Sequence, residues 1–190
     1  MNFSNTLIYW YLQTKRDLPW RKTRDPYLVW LSEIILQQTR VSQGMSYYLT
    51  FSTVFPTVED LANAEESKVL KMWQGLGYYS RARNLHYTAK YISNELCGQF
   101  PTSYKELIKL KGIGDYTASA ISSICFDEPA AVVDGNVYRV LARFFKIDTP
   151  INSTKGIKEF KSLAQSLLDT KNPGVYNQAI MDFGALQCKP

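Results

Sequence analysis

Cysteine and histidine are scarce in this chain of 190 residues, which holds three of the first and one of the second. Cys97, Cys125 and Cys188 are odd in number and widely spaced. That excludes a disulfide framework and a CxxC zinc site within these residues, so reduced thiols and no zinc are expected. The lone histidine, His86, reads as structural. Long apolar runs are lacking as well. No stretch approaches the ~18 consecutive apolar residues of a membrane span, and Met1 to Trp20 is aromatic and polar rather than a signal-peptide core. No membrane partner and a cytoplasmic location are expected. Alternating strand patterns are nearly absent, and there is no repeat or low-complexity linker. With 45% hydrophobic and 21% charged residues, disorder is excluded. The chain can bury one sizeable core, as one domain or two small subdomains.

What is present is helical. Apolar residues recur at helical spacing, and start and stop signals punctuate them, so the fold class is all-α. Asp25-Pro26 offers an N-cap and a first-turn proline for a helix over Tyr27 to Gln37. Thr57 to Asp60 resembles a capping box. Gly75-Leu76-Gly77 breaks the chain before an amphipathic helix from Ser80 to Leu96, and Pro101-Thr102 opens another that runs to about Leu110. Further helices follow Gly114, Asp134, Ser153 and Pro173, while Val132-Val133 is the one short extended candidate. A net charge of +5 favours a polyanionic partner without separating nucleic acid from a merely basic surface.

Three motifs carry chemistry, each beside a plainer alternative. Leu110-Lys111-Gly112-Ile113-Gly114-Asp115-Tyr116-Thr117 joins an amphipathic helix to a small-residue one. Gly112 and Gly114 permit a tight turn through which backbone N–H groups at a helix start can approach a phosphate. An ordinary helix–helix connection with a glycine C-cap would use the same residues. Asp134, ahead of Gly135-Asn136-Val137, is either a reacting carboxylate or an N-cap. Glu33 is a single acid in the apolar stretch Val29 to Leu36. It lies either on a narrow solvated edge or in an apolar wall, where a carboxyl pKa is raised for general-acid work.

Taken together, Leu18-Pro19-Trp20-Arg21, Trp30 to Glu33 with Leu36 to Thr39, Gly75 to Leu85, Gly112 to Thr117, Asp134 to Val137 and Tyr176 to Ala179 resemble the MutY-type adenine DNA glycosylases. These form a branch of the helix-hairpin-helix DNA glycosylase superfamily with an endonuclease III-like fold. The resemblance implies base excision repair on double-stranded DNA. An adenine opposite 8-oxoguanine or guanine would be flipped out and released by hydrolysis of its N-glycosidic bond. It gives Glu33 the role of acid toward the departing adenine, Asp134 that of stabilising the oxocarbenium-like sugar, and Asn136 that of orienting Asp134 or simply capping. Tyr116 stands where lyase relatives carry the lysine that forms a Schiff base, which implies a monofunctional enzyme. Leu18, Trp20, Arg21 and Gln178 match a base pocket. Gln38 and Tyr78 match residues that enter the DNA stack, and Gly112, Gly114 and Lys111 face its backbone. Arg81 and Arg83 contact phosphate or form the polar face of a helix.

The same resemblance implies a six-helix barrel lobe over residues 25–130 with its hairpin near 110–117. A second helical lobe would form from 1–24 and 131–190, and DNA would lie between the lobes. Cys188 matches the first ligand of a 4Fe-4S cluster whose other three cysteines are absent from this chain, so the cofactor site is incomplete and the catalytic domain is expected to be cut before the iron–sulfur loop. A monomer is expected, bound to nucleoid DNA if the source is bacterial and of unknown location if it is eukaryotic. Two other functions compete. An endonuclease III-like lyase on oxidised pyrimidines is opposed by Tyr116. A helix-hairpin-helix module that only binds DNA has no need of Glu33.

Overall fold

Capping chemistry sets where helices begin. The computed structural model describes residues 2–189, and the regular elements among them are helical: α1 (Phe3–Thr14), α2 (Pro26–Leu36), α3 (Val41–Val54), α4 (Val58–Asn63), α5 (Glu66–Met72), α6 (Ser80–Glu95), α7 (Tyr104–Leu107), α8 (Asp115–Phe126), α9 (Gly135–Phe145), α10 (Thr154–Leu167) and α11 (Pro173–Leu186), with a 3₁₀ turn at Pro19–Arg21. Asp25 accepts from the backbone N–H of Tyr27 and Leu28 with Pro26 in the first turn, so α2 starts where its signals place it. Thr57 and Asp60 form a reciprocal capping box on α4. The helix expected from Pro101 to Leu110 shrinks to the four residues of α7. There the amides of Lys109 and Leu110 reach back only three residues, to Glu106 and Leu107, a pitch that winds into a turn instead of continuing the α-helix. Val132-Val133 forms no strand. The Val132 amide instead donates to the Asn177 side chain at 3.2 Å.

The chain divides into two compact units. The first is Pro19–Thr117 and holds α2 to α7, with a core of Trp30, Leu31, Ile35, Phe51, Leu61, Trp73, Leu85 and Ile92, each at most 1% exposed. The second joins the described parts of Met1–Leu18 and Ala118–Pro190, centred on Leu141, Phe160, Tyr176 and Ile180. These boundaries differ from those expected at 24/25 and 130/131, for two packing reasons. Trp20 lies edge-on against Tyr48 of α3 at 5.0 Å and commits the 3₁₀ turn to the first unit. At the other end, α8 from Ala118 onward packs so tightly on α11 that a Cβ at Gly174 would come within 2.8 Å of the Ile124 Cα.

In the second unit α1 is stitched to α11 at three levels. Tyr11 donates to Gln178 at 2.7 Å, Trp10 meets Phe183 edge-on at 5.2 Å, and Arg16 is paired with the fully buried Asp182. Asn177, also fully buried, fixes the segment that leads into α9. Its amide donates to Ser123 Oγ at 2.9 Å and to the Ala130 carbonyl at 2.8 Å, and its carbonyl oxygen accepts from Val132. Gln165 adds a second clamp, donating to the Pro129 carbonyl and accepting from the Ala131 amide. Replacing Asn177 by Ala would remove the partner of the buried Val132 amide and of the half-buried Ala130 carbonyl. We expect the N177A variant to lose about 2–4 kcal/mol of unfolding free energy in urea titration. A loss below about 0.5 kcal/mol would show that the segment is held by something else.

Candidate active site

In the first unit, every residue of α2 from Val29 to Ile35 is buried except Glu33, which is half-buried. The carboxyl therefore sits at the edge of an apolar wall. The hairpin follows α7. Gly112 adopts φ +81°, and a Cβ there would stand 2.7 Å from the Asn84 Cβ, so both conformation and space demand glycine. Thr88 of α6 donates to the Lys111 carbonyl at 2.7 Å and pins the turn. The exposed Lys111 lies over the Tyr87 ring at 4.5 Å. Gly114 differs from Gly112. A Cβ there would meet nothing within 4 Å, so nothing in the protein requires the glycine. Tyr116 is half-buried in the first turn of α8, and Tyr104 donates to the side chain of Asp115 beside it. Gln37 at the end of α2 reaches Thr117 at 3.4 Å, which joins the Glu33 helix to the hairpin within this unit.

Gln38 and Tyr78 occupy two loops of the same unit. Both have positive φ, at +55° and +46°, and both are exposed, Tyr78 by 67%. Arg81, one of the two arginines read as phosphate contacts or as a polar helix face, turns inward and is bonded to the carbonyls of Ile34, Ile35, Gln37, Leu76 and Gly77. Burial pulls its guanidinium below the ordinary arginine value, with the Tyr78 hydroxyl acting the other way, and it remains a cation. Arg83 stays exposed, 3.9 Å from Glu66. His86 is buried and structural. Its Nε2 lies 2.9 Å from the Ala64 carbonyl, and burial lowers its pKa, so the ring is a neutral donor.

In the second unit, Asp134 is both an N-cap and more than one. Oδ1 accepts from the Val137 amide at 2.8 Å, and Oδ2 accepts from the Asn136 side chain at 2.8 Å. Asn136 accepts in turn from Arg139 at 2.8 Å. Arg139 also donates to the carbonyls of Gly184 at 2.6 Å and Cys188 at 2.5 Å. A Cβ at Gly184 would fall 2.6 Å from the Asn136 Cβ, so α11 can close on the start of α9 only at glycine. Sequence reasoning missed Arg139. Its signal was available, three residues after Asn136 and so on the same helix face.

Of the residues read as a base pocket, Leu18 (6% exposed) and Gln178 belong to the second unit, and Trp20 (7%) and the half-buried Arg21 to the first. Leu18 and Trp20 are largely buried, Trp20 against Tyr48, and Gln178 accepts from Tyr11. Cys188 receives Arg143 Nη1 on its sulfur at 3.5 Å. A 4Fe-4S cluster takes four close cysteines. Among the described residues no three His, Cys, Asp or Glu side chains gather where they could hold a metal, and the sequence holds three cysteines, one fewer than such a cluster takes. Nor is any helix among the described residues long and apolar enough to cross a membrane.

The chain is similar to known proteins along nearly its whole length. Residues 31–166 match the family described as HhH-GPD superfamily base excision DNA repair protein. The chain is 44% identical to a human adenine DNA glycosylase over 99% of its own length and 36% of the relative's. It is 40% identical to an adenine DNA glycosylase of Buchnera aphidicola (subsp. Schizaphis graminum) over 99% and 54%. It thus spans about a third to a half of these curated relatives. Among solved structures, a thermostable thymine-DNA glycosylase superposes with a TM-score of 0.90 at 31% identity, covering 99% of this chain and 87% of that one. An endonuclease III–DNA complex superposes at 0.82, covering 98% and 84%, and at 19% identity that shows the fold alone.

The contrast between the two hairpin glycines is testable in the isolated protein. Gly112→Ala should cost about 1–3 kcal/mol of stability, from strain and collision with Asn84. Gly114→Ala should cost less than about 1 kcal/mol, since only its preference as a helix-start residue is lost. Equal losses in chemical denaturation would contradict the geometry.

Proposed function

Because the chain belongs to the HhH-GPD superfamily of base excision DNA repair proteins, we propose that it is a DNA glycosylase that releases adenine mispaired with 8-oxoguanine or guanine. The reading is carried by Glu33, a half-buried carboxyl in an otherwise buried stretch of α2, in a chain that matches adenine DNA glycosylases at 36–45% identity along 96–99% of its length. A surface module that only held DNA would gain nothing from an acid in that wall.

In this reading the target nucleotide leaves the stack, because its glycosidic bond cannot be reached inside the duplex. Glu33 donates a proton to the departing adenine as the carbon–nitrogen bond breaks with its electron pair leaving on the base. Asp134 faces the positive charge that develops on the sugar, and a water molecule adds its oxygen to the sugar carbon and gives up a proton to solvent. Asn136, bonded to Oδ2, orients that carboxylate, and the start of α9 holds Oδ1. Asp134 can stabilise the sugar as an ion or bond it transiently.

Tyr116 supplies no amine, so no Schiff base forms and the strand is not cut in the same step. Tyr116 matches a tyrosine of the adenine pocket in the adenine DNA glycosylases. Leu18, Trp20, Arg21 and Gln178 read the base, and Gln38 and Tyr78 fill the stack around the lesion. Gly112, Gly114 and Lys111 hold the phosphate backbone of double-stranded DNA, with Gly114 leaving open space for a close approach. The protein acts as a monomer. The adenine-opposite-8-oxoguanine preference rests on the likeness to the adenine enzymes, whereas the 31%-identical thymine-DNA glycosylase makes thymine the competing base.

Under single-turnover conditions Glu33→Gln and Asp134→Asn should each slow adenine release at least about 10²-fold, while duplex binding persists. Undiminished release by E33Q would remove Glu33 as the acid. Release of thymine from a thymine–guanine duplex, with adenine left in place, would move the assignment to the other base.

A further inference from the structure

A cation in the first turn of a helix lies at the unfavourable end of the helix dipole, yet Arg81 is the second residue of α6. Its partners explain the position. Nη1 donates to the carbonyls of Ile34 at 3.0 Å, Ile35 at 3.2 Å and Gln37, and Nη2 donates to those of Leu76 at 3.1 Å and Gly77 at 3.3 Å. The first three end α2, and the other two belong to the loop ahead of α6. One planar guanidinium therefore binds two loops that are far apart in sequence. It also lies 5.2 Å from the centre of the Trp73 ring and 5.8 Å from that of Tyr78.

Each loop carries its strained residue directly after a carbonyl that Arg81 holds. Gln38, at φ +55°, follows Gln37, and Tyr78, at φ +46°, follows Gly77. Left-handed backbone at a residue with a side chain costs energy and persists where the surroundings over-determine it. Both side chains are exposed, and the packing contact that offsets the cost is that of the Tyr78 ring with Arg81 itself. The loop of Tyr78 is held from three further sides. Tyr47 donates to the Gln74 carbonyl at 2.7 Å, Gln43 to that of Gly75 at 3.2 Å, and the Trp73 indole to that of Gly77 at 3.0 Å. A rigid frame thus presents two strained, exposed side chains, one a flat amide and the other a flat ring.

We propose that Arg81 is a positioning residue that couples Gln38 and Tyr78 into one preset pair of prongs, so that both enter the DNA stack without loop ordering at the moment of binding. The proposal rests on the glycosylase reading above, and deepens it. Lysine cannot take the place of Arg81, because a single ammonium cannot span carbonyls of two loops as the guanidinium fork does.

The test compares the wild-type chain, Arg81→Lys, the double variant Gln38→Gly/Tyr78→Gly, and all three changes together. Glycine keeps the left-handed backbone while removing the side chains. Two duplexes are used, one with adenine opposite 8-oxoguanine and one with 2-aminopurine in place of that adenine, whose fluorescence rises as it unstacks. R81K should lower both the fluorescence rise and the single-turnover release rate roughly tenfold. In the glycine background it should change either by less than about twofold.

A tenfold loss in both backgrounds would overturn the proposal and leave Arg81 a purely structural cap, with the glycosylase reading intact. Should R81K fail to fold, the single glycine variants decide. Coupled prongs give each single variant most of the double variant's loss, whereas independent prongs give losses that multiply. If the wild-type chain unstacks 2-aminopurine but releases no adenine, the chemical reading falls and the fluorescence still judges Arg81. If it does neither, both fall.

Discussion

The carbonyls that end helix α2 need donors, and one guanidinium supplies them. Arg81 satisfies three carbonyls at that terminus and two more in the loop before its own helix. That bond set fixes where α2 stops, and with it the reach of Gln37 to Thr117 at the base of the hairpin. Glu33 lies one turn earlier on the same helix. Glu33, the left-handed Gln38 and Tyr78, and the hairpin turn therefore depend on the same small group of backbone atoms.

A comparable economy holds the other unit. Asn177 spends every hydrogen-bonding capacity it uses on the segment from Ala130 to Val132 and on Ser123. This delivers Asp134 to the start of α9 in a defined orientation. From there a chain of polar contacts runs through Asn136 and Arg139 to the carbonyls of Gly184 and Cys188. Buried polar groups tolerate few arrangements because each lost partner is costly. The carboxylate is consequently held by more than its role as a helix cap.

Much of this was legible in the residues. Local signals gave the starts of α2, α4, α9 and α10, because Asp25, Thr57, Asp134 and Ser153 cap through their own side chains a few residues on. The choice at Gly112, between a tight turn and an ordinary cap, was resolved by Asn84, a neighbour 28 positions away that no local pattern reveals. Long-range partners likewise hid the inward turn of Arg81, although a basic residue in a helix's first turn was a hint of it. The unit boundaries were missed for the same reason, since Trp20 and Gly174 act through Tyr48 and Ile124. Glu33 stood out from sequence alone because its contrast with its neighbours is local.

The reaction proposed for this chain, with acids at 33 and 134 and no amine at 116, is hydrolytic release of adenine. The most direct measurement incubates the wild-type protein with duplexes carrying adenine opposite 8-oxoguanine. Free bases are identified by chromatography, and strand cutting is followed with and without alkali. Free adenine and cutting that requires alkali are expected. Cutting without alkali would contradict the proposed reaction, as would release of a different base.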